Sequence, residues 1–555
     1  LNAALAFARS QLGVQDNGFT VARTYTTESL GIMHVYLDQN VAGIKVQNGG
    51  VMVNIGSDGR VVSYEDGSYK GRDASKMILW TGASSSRFVK PNVAFNTLAN
   101  YIKIQVDVSK LILTSVPATA RKKVYYVLKG VPSVHKDVRV EQFYVHTRAG
   151  VLEATWKFSV RIGTHSYRAH ISADGTRVVA LYDKSSSSTS YNVIKANSAS
   201  PLSSDRTLIP FQEDKVVWPE GWHSYGGDGV DYDTSGNNVL AMVQEKDASG
   251  KETETMAESA SGQFDFPLDL QKDPRLHKDA GITNLFYINN MEHGLLFRYG
   301  FNEAAGNFQE INFSGKGEEK DAVWAYAQDA GIPNNAYFTL EPDGERSEMH
   351  VGPSSNGQQL RDGSLDNQVI IHEYSHGLSD RLTSGSHRDD CLITTEAMGM
   401  AEGWSDFFAI LQTAKSTDRR DTPRDYGTYL HFKHPRRYMY TTGKKLNPTA
   451  YGYILGSNDK HYIGNVWTTM LWEVYWNLVD ALGYTEAYDR PDLSKGNTLA
   501  MLLVINAFKL QPCNPTFTEA RNAIIESEFR ITKGAHHCRI WAGFAARGLG
   551  LKAKM

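Results

Sequence analysis

The pattern of apolar and polar positions changes twice along the chain. Between residues 31 and 65 it alternates with a period of two, in Ile32-Met33-His34-Val35-Tyr36-Leu37, Val51-Met52-Val53-Asn54-Ile55 and Val61-Val62-Ser63-Tyr64. Every second side chain of a strand faces the same way, so these runs predict half-buried strands. Turn-forming Asn48-Gly49-Gly50 and Ser57-Asp58-Gly59 separate them. A second strand-rich stretch runs from Val124 to Tyr182 with a turn at Asp174-Gly175, and Asn92–Ile104 between the two predicts a helix. The serine run Ser185–Ser188 then reads as a linker. Beyond it, residues 190–360 read as strands and loops. Residues 364–550 read as mostly helical, with helices around His372, around Glu402 and over Ile463–Leu482. The fold class expected is α+β, strand-rich first and helical last.

The helical part carries the most informative chemistry, His372-Glu373-Tyr374-Ser375-His376. Residues four apart on a helix lie about 40° apart around its axis, so both imidazoles face one way. Glu373 projects beside the point on which they converge, where a carboxylate can take a proton from an activated water. HExxH on a helix is a zinc-hydrolase signature. Val369-Ile370-Ile371 reads as the buried start of that helix and Asp366 as its cap. A metzincin would need a third His at position 382, which is Leu382. Glu402 and Asp406, four apart in the next helix, supply carboxylates instead. One can bind the metal while the other accepts the free N–H of a ligating imidazole.

These residues sit in segments that resemble the fungalysin family of secreted fungal metalloendopeptidases, distant relatives of thermolysin. The likeness runs through HEYSHGLSDRL and CLITTEAMGMAEGWSDFF, and through YGFNEAAGNFQ (299–309), AQDAGIPNNAYF (327–338), HYIGNVW (461–467) and LQPCNPTFTEARNAII (510–525). It covers roughly residues 190 to 550, including the Arg547-Gly548-Leu549-Gly550 ending. The resemblance implies one catalytic Zn²⁺ held by His372, His376 and Glu402, with Asp406 behind a ligating imidazole. Glu373 is the implied base, which later returns its proton to the leaving amine, and His461 the implied donor to the oxyanion. Asn335 and Ala336, within Asn334-Asn335-Ala336-Tyr337-Phe338, are implied to pair with substrate backbone. Arg436 is implied to hold a substrate carbonyl, although the neighbouring Arg437 leaves that register open. The implied architecture is thermolysin-like and two-lobed: a strand-rich lobe over 191–363, a helical lobe over 364–555, and zinc between them.

The front part carries its own resemblance. GIMHVYLDQNVAGIKVQNGGVMVNIGSDGRVVS is similar to the fungalysin/thermolysin propeptide domain, and ATWKFSVRIGTHSYRAHISADGTRVVALYD to its second lobe. Residues 1–183 are therefore expected to be an inhibitory propeptide, with an FTP-like lobe over 1–75 and a PepSY-like lobe over 85–183. A linker or processing region would follow at 184–190. Residues 1–183 hold 22 Lys+Arg against 13 Asp+Glu, and residues 184–555 hold 36 against 48, giving +9 and −12. Opposite charge on covalently joined parts suits surfaces that dock on each other, though compositional drift between domains explains it equally.

A length of 555 residues allows two or three domains, and 41% hydrophobic with 21% charged residues is ordinary for globular protein. No apolar run approaches a membrane span. The chain opens at Leu1 without a Met or a leader, so a signal peptide is expected to have been removed already. Cys513 and Cys538, in the segment resembling the family C-terminus, are expected to close a 26-residue loop, leaving Cys391 free or paired elsewhere; buried thiols at all three are the alternative. Asn312-Phe313-Ser314 is a glycosylation sequon. Acidic Glu318-Glu319 and Glu341–Glu345 have the chemistry to bind Ca²⁺, but solvated loops are the favoured reading.

A zinc aminopeptidase would show Gly-x-Met-Glu-Asn, which the chain lacks. A catalytically silent zinc-binding relative, acting as a binding or inhibitor protein, is the competing class. The expected partners are protein or peptide substrates and the chain's own propeptide, with no nucleic acid and no membrane, for a secreted monomer.

Overall fold

The alternation in the front part of the chain becomes two antiparallel sheets. The computed structural model describes all residues except 13–17, 28–31, 42, 57, 71–87, 117–124, 133, 135–136, 148–150, 163–164, 184–188, 220, 224–232, 247–251, 260, 386–389 and 554–555. The serine run Ser185–Ser188 and Ser57 of the second expected turn lie outside the described residues. The chain divides into two units, residues 1–187 and 188–555.

In the first unit, helix α1 (Asn2–Leu12) is followed by β1 (Phe19–Thr27), β2 (Ile32–Val41), β3 (Ile44–Lys45), β4 (Val51–Ile55) and β5 (Val61–Asp66). These strands order as β1-β2-β4-β5, with β3 paired to β2. The alternate residues Val35, Leu37, Val51, Val53 and Ile55 form its buried face with Ala4 and Ala8 of α1. Helix α2 (Pro91–Tyr101) precedes β6 (Ile112–Val116), β7 (Tyr125–Lys129), β8 (Val138–His146), β9 (Leu152–Ile162), β10 (His165–Ser172) and β11 (Val178–Asp183), a six-stranded meander. Phe95 and Leu98 of α2 join Trp156, Phe158, Ala169 and Ile171 in one core. The helix expected over Asn92–Ile104 stops at Tyr101, since Lys103 takes φ 60°. At the Asp174-Gly175 turn Gly175 takes φ 73°.

The second unit begins with β12 (Ser190–Val193), β13 (Thr207–Pro210), β14 (Val239–Lys246), β15 (Glu252–Thr255) and β16 (Gln263–Phe264), then helix α3 (Lys278–Arg298). It continues with β17 (Val323–Ala327), β18 (Ala336–Thr339), β19 (Glu348–Val351), β20 (Pro353–Ser355) and β21 (Leu360–Asp362). Its main sheet orders as β15-β14-β17-β19-β18, so β18 is an edge strand, antiparallel to β19.

The 21-residue α3 lies where strands and loops were expected. It is buried on nearly every side, so its sequence shows no apolar stripe, and several of its polar residues find partners inside the fold. Asn284 Nδ2 donates to Ser364 O and Asn367 Oδ1, Asn290 Oδ1 accepts from Asn238, and Glu292 accepts from Gln412.

The helical part comprises α4 (Asn367–Ser384), α5 (Thr395–Gln412), the short α6 (Thr428–His431), α7 (Lys460–Leu482), α8 (Gly496–Phe508), α9 (Phe517–Thr532) and α10 (His537–Ala546). Asp366 caps α4 as expected, accepting from Val369 N, and its other oxygen accepts from Tyr429 N and Leu430 N. Glycines let α5 and α7 touch backbone to backbone. A Cβ on Gly464 would fall 2.8 Å from Glu402 Cβ and 2.9 Å from Gly403 N.

The structure corrects the expected cysteine pairing. The disulfide joins Cys391 to Cys513, 122 residues apart, and Cys538 is exposed and free. Asn514 laces the loop before α9 onto the loop before α5, since its Oδ1 accepts from Ile393 N and Thr394 N and its own N donates to Cys391 O. That places Cys513 beside Cys391, an adjacency that closeness in sequence to Cys538 does not reveal. In the sequon, Asn312 is buried and its Nδ2 donates to Lys316 O and Glu318 O, so a glycan there would cost both bonds. Asp343, within the acidic run 341–345, pairs with the fully buried Arg381 rather than facing solvent. No helix among the described residues is long and apolar enough to cross a membrane.

Candidate functional site

The i, i+4 spacing on α4 brings His372 and His376 together, with their Nε2 atoms 3.1 Å apart. Glu402, from α5, points its Oε2 at His372 Nε2 from 3.3 Å, while its Oε1 lies 4.0 Å from His376 Nε2. Donor atoms of all three residues lie within 4.8 Å of one another. Glu402 is 3% exposed, and its Oε2 has no hydrogen-bond donor. A buried carboxylate oxygen left without a donor costs free energy that a cation would recover, so this donor set fits a metal ion.

The electrostatics agree. Burial drives His376 down to about 3, which keeps its imidazole neutral with a lone pair to give. Burial also opposes charge on His372, but Asp406 and Glu402 outweigh it and raise that group to about 9. The negative potential that holds a proton there would hold a metal cation in its place.

Asp406 is fully buried behind His372. Its Oδ1 lies 2.8 Å from His372 Nδ1, with the ring tilted off a straight N–H···O line. Arg436 donates to it twice and the Tyr440 hydroxyl once. Burial opposes the charge of Asp406, yet Arg436 and His372 hold its carboxyl well below the usual carboxylate range. Asp406 thus supplies the imidazole with a fixed anion. Arg437, by contrast, lies over the Tyr462 ring at 4.8 Å, which separates the two neighbouring arginines.

Asn335, Ala336, His372, Glu373, His376, Glu402, Arg436 and His461 all line one cavity of about 750 Å³. Glu373 is 5% exposed, and burial, helped by Glu402, pushes its carboxyl up to about 7. His461 is the second residue of α7, which Asp459 caps, and its Nε2 lies 3.5 Å from Glu402 Oε2. Burial lowers its pKa. Along the cavity, Asn335 O accepts from Gly352 N, while Phe338 packs on Phe308 at 5.7 Å between ring centres.

Three neighbours escape a reading of the sequence. Lys460 places Nζ 2.7 Å from Glu402 Oε1. Tyr440 reaches Asp406, and Tyr426 sits with its ring 5.0 Å from that of His372. Lys460 adjoins His461 and could have been suspected from that alone. The tyrosines come from the irregular segment between α5 and α7, which carries no periodic signal.

Comparison with known proteins adds three findings. Residues 190–553 match the family model of the fungalysin metallopeptidases (M36), and residues 17–66 match the fungalysin/thermolysin propeptide motif. The chain is 36% identical over 550 residues to extracellular metalloproteinase 2 of Phaeosphaeria nodorum, covering 97% of this chain and 84% of the relative. It is 34% identical over 554 residues to extracellular metalloproteinase MEP of Leptosphaeria maculans, covering 97% and 85%. Among solved structures, a precursor of protealysin from Serratia proteamaculans aligns with a TM-score of 0.35 at 12% identity, covering 56% of this chain and 88% of that one.

Proposed function

The chain belongs to the fungalysin metallopeptidases, extracellular enzymes with a propeptide motif, and on that footing we propose how its own residues carry out the hydrolysis. His372, His376 and Glu402 hold one zinc ion. Bound there, zinc would polarise a peptide carbonyl and acidify a water. Glu373 takes the proton from the attacking water, a task suited to a carboxyl that burial has moved to about 7. It then passes that proton to the leaving amine. His461 donates to the oxyanion that develops on the former carbonyl. Arg436, two of whose nitrogens are engaged by Asp406, keeps a fixed pose from which to hold a substrate carbonyl. The exposed edge at Asn335 and Ala336 pairs with an extended substrate backbone.

The observation that carries this reading is the convergence of three donor atoms within 4.8 Å on a buried carboxylate oxygen without a donor, with Glu373 lining the same cavity. The intact set of ligands and base argues against a silent binding protein. Residues 1–183 act as the inhibitory propeptide, released by cleavage within about 183–190, and the mature enzyme is a monomer without a membrane or nucleic-acid partner. The test is hydrolysis of casein by the zinc-loaded, processed chain. Loss on chelation and return with zinc is expected, and chelator-resistant hydrolysis would sink the reading.

A further inference from the structure

Glu402 presents its two oxygens to different surroundings. Oε2 faces His372 and has no donor, whereas Oε1 lies 2.7 Å from the Lys460 ammonium. The carboxylate is enclosed at 4% side-chain exposure, while Lys460, the first residue of α7, is 53% exposed and reaches it from the solvent side. The contact is held at its base. Gly403 and Gly464 bring α5 and α7 so close that a Cβ on Gly403 would fall 2.7 Å from Gly464 O.

Among the described residues, no acid other than Glu402 pairs with Lys460 at short range. Arg436 comes no nearer to Glu402 than 3.6 Å and is spent on Asp406. Two neutral imidazoles and one carboxylate give a ligand set of charge −1, and the ammonium cancels it.

We propose that Lys460 is a positioning residue that reserves Oε1 of Glu402, leaving Oε2 as the single donor oxygen, and that its charge weakens the hold of the site on its metal. The inference rests on the reading of His372, His376 and Glu402 as the ligands. A cation bound beside Lys460 keeps more of its charge uncompensated, which strengthens its pull on a substrate oxygen and speeds its exchange with solution.

The test is zinc affinity of the full chain, measured by competition with a chelator of known affinity, for wild type, Lys460→Met, Lys460→Arg and His376→Ala. Because Lys460 is half exposed and screened by solvent, removal of its charge is expected to tighten zinc binding about tenfold and slow its release. Lys460→Arg, which keeps charge and donor, is expected to match wild type. A Lys460→Met affinity equal to or weaker than wild type overturns the proposal, as does a Lys460→Arg affinity as tight as that of Lys460→Met. His376→Ala checks the underlying reading separately. If it holds zinc as wild type does, the ligand assignment fails, and the role of Lys460 with it.

Discussion

Asp406 and Arg436 meet across two hydrogen bonds, Arg436 Nε to Oδ2 at 2.7 Å and NH2 to Oδ1 at 2.9 Å, with side-chain exposures of 0% and 7%. The same carboxylate stands against His372. One buried anion therefore ties the His372 imidazole to a cavity-lining guanidinium.

Asp406→Asn is expected to act twice. It leaves Arg436 buried without its counter-charge, at a cost of about 3–5 kcal/mol. It also removes the anion behind His372, lowering zinc affinity about 10–100-fold. Urea unfolding and zinc titration on one preparation check both. Unchanged affinity would mean that the imidazole needs no such support.

Gly464→Ala would drive its methyl against Glu402 Cβ and Gly403 N. Backbone cannot yield as a flexible side chain can, so a loss of about 1–3 kcal/mol is expected, together with a displaced Glu402 and reduced turnover. Thermal unfolding beside casein hydrolysis checks this. A fully active, equally stable variant would show that α7 can shift freely.

Glu292 is 1% exposed, and burial pushes its carboxyl up to about 8 despite the hydrogen bond from Gln412. An unfolded Glu titrates at about 4.3. Its contribution to stability is thus complete below about pH 4.3 and is lost as pH rises through 8. Glu292→Gln, which cannot ionise, should flatten that decline and exceed wild type by about 4–5 kcal/mol at pH 8. Denaturant curves between pH 5 and 8 decide it; parallel profiles for the two proteins would refute the assignment.

What could be read in advance divides along the range of the interactions. Two His four apart, a Glu beside them and an aspartate at the helix start are local patterns, and α4 with its Asp366 cap follows from them. The strands β2 and β4 were legible because one face of each alternates into a core, whereas β5 adds only the partly buried Val61 to it. Helix α3 was not, because a helix enclosed on all sides has no stripe to display. The Lys460–Glu402 contact, the Tyr440 hydroxyl on Asp406 and the Cys391–Cys513 bridge join segments that only tertiary packing brings together. The resemblance of the last segment to the family C-terminus, from which Cys513–Cys538 was expected, carries no such information.

The bridge gives its own prediction. Cys391 and Cys513 close a loop of 122 residues, a large entropic constraint on the unfolded chain. Replacing both by Ser should cost about 2–5 kcal/mol, while Cys538→Ser should cost almost nothing. Peptide mapping without reductant should recover Cys391 linked to Cys513 and Cys538 as a free thiol. Recovery of a Cys513–Cys538 peptide would contradict the fold around Asn514.

On the proposed mechanism, Glu373 moves the proton in a zinc-dependent hydrolysis that also frees the enzyme from its front part. Intact mass followed over time, for zinc-loaded wild type beside Glu373→Gln, addresses it most directly. Wild type is expected to split near residues 183–190, while Glu373→Gln stays whole with zinc still bound. Cleavage of the Glu373→Gln chain at the wild-type rate would contradict it.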